Sequence, residues 1–103
     1  YSSRLLADLG ATVVKVEAPG GDPLRGSVRM FRAAQANKQS LALDLRRSES
    51  TEIVDRLIRW SDVVHHNMRP RVALELGLTA ERVQAVNPAA IFGMASGWAS
   101  NGP

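Results

Sequence analysis

Cysteine is missing from all 103 positions. Disulfide scaffolds, thiolate metal sites and thiol nucleophiles are thereby excluded, and a reducing cytoplasm is the expected setting. No run of about 18 apolar residues occurs, so no membrane-spanning helix is expected. Tyr1-Ser2-Ser3-Arg4 opens onto a polar-faced segment and carries no secretory-leader pattern. No serine stands in a G-x-S-x-G context. Gly20-Gly21-Asp22-Pro23 lacks the G-x-G-x-x-G spacing of a dinucleotide fingerprint and reads as a turn. Internal repeats and low-complexity tracts are absent as well.

What is present is an ordinary globular balance, 45% hydrophobic and 22% charged, in a length that suits one small domain. Thirteen basic against ten acidic side chains leave a net charge of +3. The basic residues are spread out, with Arg4, Arg25, Arg32, Arg59 and Arg82 in separate segments. That scatter argues against nucleic acid as a partner and fits a small polyphosphate better. His65 and His66 are adjacent on a strand pattern and so face opposite sides. No other ligand residue sits at metal spacing around them, so no metal site is expected.

Leu5, Leu6 and Leu9 form a helical stripe ended by Gly10. Residues 12–17 are a β-branched strand, and weak helical character follows between Arg25 and Ala36. From Ser40 to Leu45 the chain alternates, with Leu41, Leu43 and Leu45 on one side. Ser48 or Ser50 is a candidate cap for a helix whose apolar face is Ile53, Val54, Leu57, Ile58 and Trp60. A third strand is expected at 62–66 and a loop at 67–70, with Pro70 opening a short helix through Leu76. Thr79 is placed to cap a further helix that Asn87-Pro88 ends, and 89–95 is a fourth strand.

Strands alternating with helices argue for an α/β fold: a Rossmann-like, mostly parallel sheet of four strands with flanking helices. In such folds ligands bind at the carboxyl ends of the strands. Arg46 is expected at one such end, where a guanidinium can grip a phosphate in bidentate fashion. The competing reading is a solvated arginine, although a cation at a helix start opposes the dipole unless an anion is near. Lys38 lies at the opposite strand end. Four strands alone would bury little, and the chain opens inside a helix, so residues 1–103 are read as part of a larger domain in a longer chain.

Four ordered blocks together resemble the family III CoA-transferases of CaiB/BaiF type, a group that includes formyl-CoA transferase, carnitine CoA-transferase and α-methylacyl-CoA racemase. They are Leu5 to Glu17 with Pro19-Gly20-Gly21-Asp22 and Arg25-Gly26; Asn37 to Arg46; Ser61 to Pro70 with Leu76-Gly77-Leu78; and Asn87-Pro88 with Ser96-Gly97-Trp98 and Gly102-Pro103. The resemblance implies an N-terminal segment of a Rossmann-like domain that binds coenzyme A, in an interlocked homodimer acting on acyl-CoA and carboxylic acid substrates. It implies an aspartyl intermediate in the transferases and a His/Asp proton-transfer pair in the racemase branch, with those catalytic residues beyond Pro103. The fragment alone is therefore expected to be inactive.

The residues carried over are CoA contacts. Leu43 and Leu45 match positions beside the adenosine, and Arg46 matches a basic residue there. Asn67 and Met68 match an Asn-aromatic pair in the CoA loop, and Leu76 an apolar contact. Ala18 stands where an arginine is common, His66 where a glutamate is common, Arg71 where a glycine is common, and Glu75 where some members carry a base. The reading of another class is a non-catalytic α/β interaction module whose basic residues are simply solvated.

Overall fold

In the computed structural model of the chain, residues 1–97 are described. The expected Trp98 and Gly102-Pro103 features lie outside them. The chain divides into two compact units, Tyr1–Leu45 and Arg46–Pro103.

The first unit runs α1 (Ser2–Asp8), β1 (Val13–Glu17), a 3-10 turn (Pro23–Gly26), α2 (Val28–Gln35) and β2 (Lys38–Ala42). Gly10 takes φ 101° just past the end of α1, a left-handed conformation that an L side chain resists. β1 and β2 pair in parallel, Val13 opposite Lys38 through Glu17 opposite Ala42. The alternation puts Val13, Lys15 and Glu17 on one face with Lys38, Ser40 and Ala42. Most of that face is polar. Asn37, at φ 62°, turns the chain from α2 into β2, and its side chain donates to Asp8 at 2.7 Å.

The second unit runs α3 (Ser50–Trp60), β3 (Val63–His66), α4 (Pro70–Glu75), α5 (Ala80–Val86) and β4 (Ile91–Met94). β3 and β4 are again parallel, from Val63 opposite Ile91 to His66 opposite Met94. Its core is Val54 and Ile58 from α3, Ala73 from α4, Val83 from α5, and Ala90. Val83 is fully enclosed, which contributes roughly 1.5–3 kcal/mol of apolar burial. Asn87 closes α3: its side-chain amide donates to the carbonyls of Ile58 and Ser61, both at 3.0 Å. Arg82 ties α5 to α3 through Asp55 at 2.8 Å and reaches the Gly77 carbonyl at 3.3 Å.

The α/β character holds, with parallel strands joined through helices. Three expectations change. The four strands form two separate two-stranded parallel sheets among the described residues, rather than one sheet of four. Periodicity reveals that a strand exists but not which strand lies beside it. The second strand covers Lys38–Ala42 and not Ser40–Leu45. Its length is set by its partner: β1 ends at Glu17, opposite Ala42, and the last rung is the Leu43 N–H to the Glu17 carbonyl at 2.8 Å. Neither Ser48 nor Ser50 caps α3. Glu49 occupies the cap position with helical dihedrals and makes no side-chain cap bond. Thr79 does cap α5, accepting from Arg82 N–H at 3.3 Å, and Pro70 opens α4.

Candidate functional site

The loop after β1 is held by charge. Glu17 ends the strand with its side chain only 3% exposed. Its two oxygens are fully engaged. Oε2 accepts from Asp22 N–H at 2.9 Å and Arg25 Nε at 3.0 Å; Oε1 accepts from Arg25 Nη2 and from Ser40 Oγ, both at 3.1 Å. The Arg25 hydrogen bonds hold the Glu17 carboxyl below its ordinary range, against the opposing effect of burial, with Ser40 and Lys15 helping. The same contact raises Arg25. Asp22 caps the 3-10 turn through Leu24 N–H at 2.7 Å and takes Lys15 Nζ and Gln35 Nε2 on its other oxygen. Arg25 also lies over the Phe31 ring, 4.4 Å from its centre.

These bonds fix the course of residues 18–22 at the carboxyl end of β1. Gly21 sits there at φ 81°, its N–H on the Ala18 carbonyl at 2.7 Å, and an added Cβ would meet Arg25 Cδ at 3.0 Å. The sequence shows Arg25 as one of several scattered basic residues and as part of the first block of resemblance, and neither reading reveals this network. The available signal was a strand whose inward positions alternate Val13, Lys15, Glu17, with an arginine eight residues after the acid.

Of the six expected ligand contacts, Leu43 and Leu45 follow β2 rather than lie within it, and both are half-buried in the first unit. Arg46 is the exposed first residue of the second unit. In that unit Asn67 and Met68 make the turn at the carboxyl end of β3, Asn67 exposed and Met68 half-buried. The turn is anchored locally, because His66 Nδ1 accepts the Met68 N–H at 3.2 Å. The acceptor role puts the His66 proton on Nε2, a buried atom with no hydrogen-bond partner among the described residues. The His66 ring also meets Phe92 edge-on at 5.4 Å. Leu76 caps α4 at its far end and is half-buried. His65 is exposed, and the described residues hold no cluster of metal-ligating side chains.

Parallel strands joined through helices, with a polar loop following β1 in one unit and β3 in the other, define an α/β segment of Rossmann-like build. The profile of CoA-transferase family III matches residues 1–103, and the chain belongs to that family. It is 39% identical over 112 residues to succinyl-CoA–D-citramalate CoA-transferase of Chloroflexus aurantiacus, covering 100% of this chain and 28% of that protein. It is 37% identical over 105 residues to formyl-CoA:oxalate CoA-transferase of Streptomyces coelicolor, covering 94% of this chain and 26% of the relative. Among solved structures, a hypothetical protein of Mycobacterium tuberculosis superposes with TM-score 0.91 at 33% identity, over 99% of this chain and 30% of the other. A CaiB/BaiF family protein of Brucella suis gives 0.88 at 34% identity, over 95% and 29%. The chain thus spans between a quarter and a third of the relatives it matches.

Proposed function

We propose that this chain is the N-terminal, coenzyme A-binding segment of an enzyme that moves CoA from an acyl-CoA thioester to a carboxylic acid. The observation that carries this reading is the family match along the whole chain, joined to two curated CoA-transferases above 35% identity. The protein is proposed to work in the cytoplasm as a homodimer.

In the proposed reaction an enzyme aspartate attacks the donor thioester carbonyl. CoA leaves as its thiolate and the acyl group remains as a mixed anhydride. The thiolate then attacks the aspartyl carbonyl of that anhydride, releasing the donor carboxylate and forming an enzyme–CoA thioester. The acceptor carboxylate attacks this thioester, again expelling CoA thiolate. The thiolate finally attacks the acyl carbonyl of the new anhydride, which frees the aspartate and yields the new acyl-CoA. No residue of this chain is assigned to the aspartate. Its own part is to hold CoA: Leu43, Leu45 and Leu76 as apolar contacts, Arg46 on a phosphate, and the Asn67–Met68 turn against the nucleotide. Exposure of Asn67 and the His66 anchor beneath Met68 suit that turn to meeting a ligand without reorganising.

The test is to incubate the intact protein with acyl-CoA donors and carboxylic acceptors, succinyl-CoA and formyl-CoA among the donors, and follow the thioesters chromatographically. Acceptor-dependent appearance of a new acyl-CoA is expected. Conversion that needs no acceptor, or none with any donor, contradicts the reading.

A further inference from the structure

The polar face of the β1–β2 pair is covered by α2 and the 3-10 turn, and a cavity of about 140 Å³ remains between them. Lys15, Glu17, Arg25, Phe31, Gln35, Lys38 and Ser40 are among its lining residues. Both carboxylates here are committed, Glu17 to Arg25, Ser40 and the Asp22 N–H, and Asp22 to Lys15, Gln35 and the Leu24 N–H.

Lys38 is left without a counter-charge. Its ammonium donates to the Ala34 carbonyl and to Gln35 Oε1, both at 3.0 Å, and no carboxylate among the described residues lies within salt-bridge distance. An ammonium has three donors, and two are used. Arg25 spends Nε and Nη2 on Glu17 and Ser40, and its Nη1 has no bonded acceptor among the described residues. Three cations against two carboxylates leave one positive charge in excess around the cavity. The carbonyl end of α2 offsets about half a charge at Lys38. Burial, then repulsion from Lys15 and Arg4, pushes the Lys38 ammonium below its ordinary range. At neutral pH the native state therefore bears an electrostatic cost that a bound anion would relieve.

We propose that this cavity is a binding site for a small oxyanion, a carboxylate or a phosphate, held by the Lys38 ammonium with Lys15 and Arg25 beside it. The site belongs wholly to the first unit and does not depend on the CoA-transfer reading.

Inorganic phosphate and acetate, each titrated calorimetrically into the intact protein in a zwitterionic buffer at constant ionic strength, test it. Saturable one-site binding of at least one of the two is expected, and whichever binds tighter identifies the oxyanion. Lys38→Gln should weaken it by about tenfold or more, the loss of a charged hydrogen bond, and Lys38→Arg should largely retain it. A readout that needs no variant is the Lys38 side-chain Cε resonance of the wild type, which should shift on saturation. No saturable binding to tens of millimolar, equal binding by folded Lys38→Gln, or an unmoved Lys38 resonance on binding would each overturn the proposal.

Discussion

Replacing Glu17 by glutamine removes one charge from the β1 loop while keeping the shape of the side chain. Of its two terminal atoms, the amide nitrogen fits worse at the Oε2 position, where it would oppose both the Asp22 N–H and Arg25 Nε. It will therefore sit at the Oε1 position, where Ser40 can accept but Arg25 Nη2 cannot. One charged hydrogen bond is lost outright and the others weaken. Such bonds contribute about 1.5–3 kcal/mol each, and Arg25 is 47% exposed, so water replaces part of the loss. The expected destabilisation of the loop is about 2 kcal/mol, or roughly a 30-fold rise in local opening. Native-state hydrogen exchange at Asp22, Arg25 and Ser27 reads that opening directly, with Val83 and Asn87 in the second unit as unchanged references. A change below about threefold at all three amides would show that Glu17 does not hold this loop.

The same carboxylate sets a pH dependence. Its native pKa lies below the ordinary 4.5, so its contribution is complete above that value and disappears as pH falls through the lowered native one. Protection factors at residues 22–27, corrected for the pH dependence of intrinsic exchange, should fall over that acid range in the wild type and hardly at all in Glu17→Gln. Thr79→Ala removes the hydroxyl that caps α5 and should cost about 1 kcal/mol, read as a lower denaturant midpoint with an unchanged slope. Val83→Ala empties part of the fully enclosed site in the second unit and should cost about 2 kcal/mol by the same measurement. Insensitivity of the midpoint to Val83→Ala would mean that this core does not hold the unit together.

Local signals were the most legible. Gly10, Pro70 and Thr79 sit where their backbone or capping chemistry requires, because each acts through its own neighbours. Order and type of the elements were readable for the same reason. Limits set by a partner were not. The Leu41, Leu43, Leu45 alternation continues past Ala42, but β1 has no further residue to pair with, and the strand stops there. Trp60 fits the apolar stripe of α3 by spacing, yet it is 56% exposed, because spacing places a side chain on a face without saying how far along the helix that face is covered. The Glu17 network was hidden because its members come from β1, the 3-10 turn, α2 and β2, and only their packing joins them. Of the candidate ligand residues, the Asn67–Met68 turn is legible as a strand-end loop, whereas the bond from the Met68 N–H to the His66 ring depends on a ring orientation that the residue order does not give.

Binding of coenzyme A to the intact protein, measured calorimetrically for the wild type and for Arg46→Ala, tests the central claim most directly. The account predicts saturable binding that Arg46→Ala weakens by about tenfold or more, as expected for one lost charged hydrogen bond to a phosphate. Absence of CoA binding by the wild type would contradict the proposed function. Wild-type affinity in Arg46→Ala would remove Arg46 from the site.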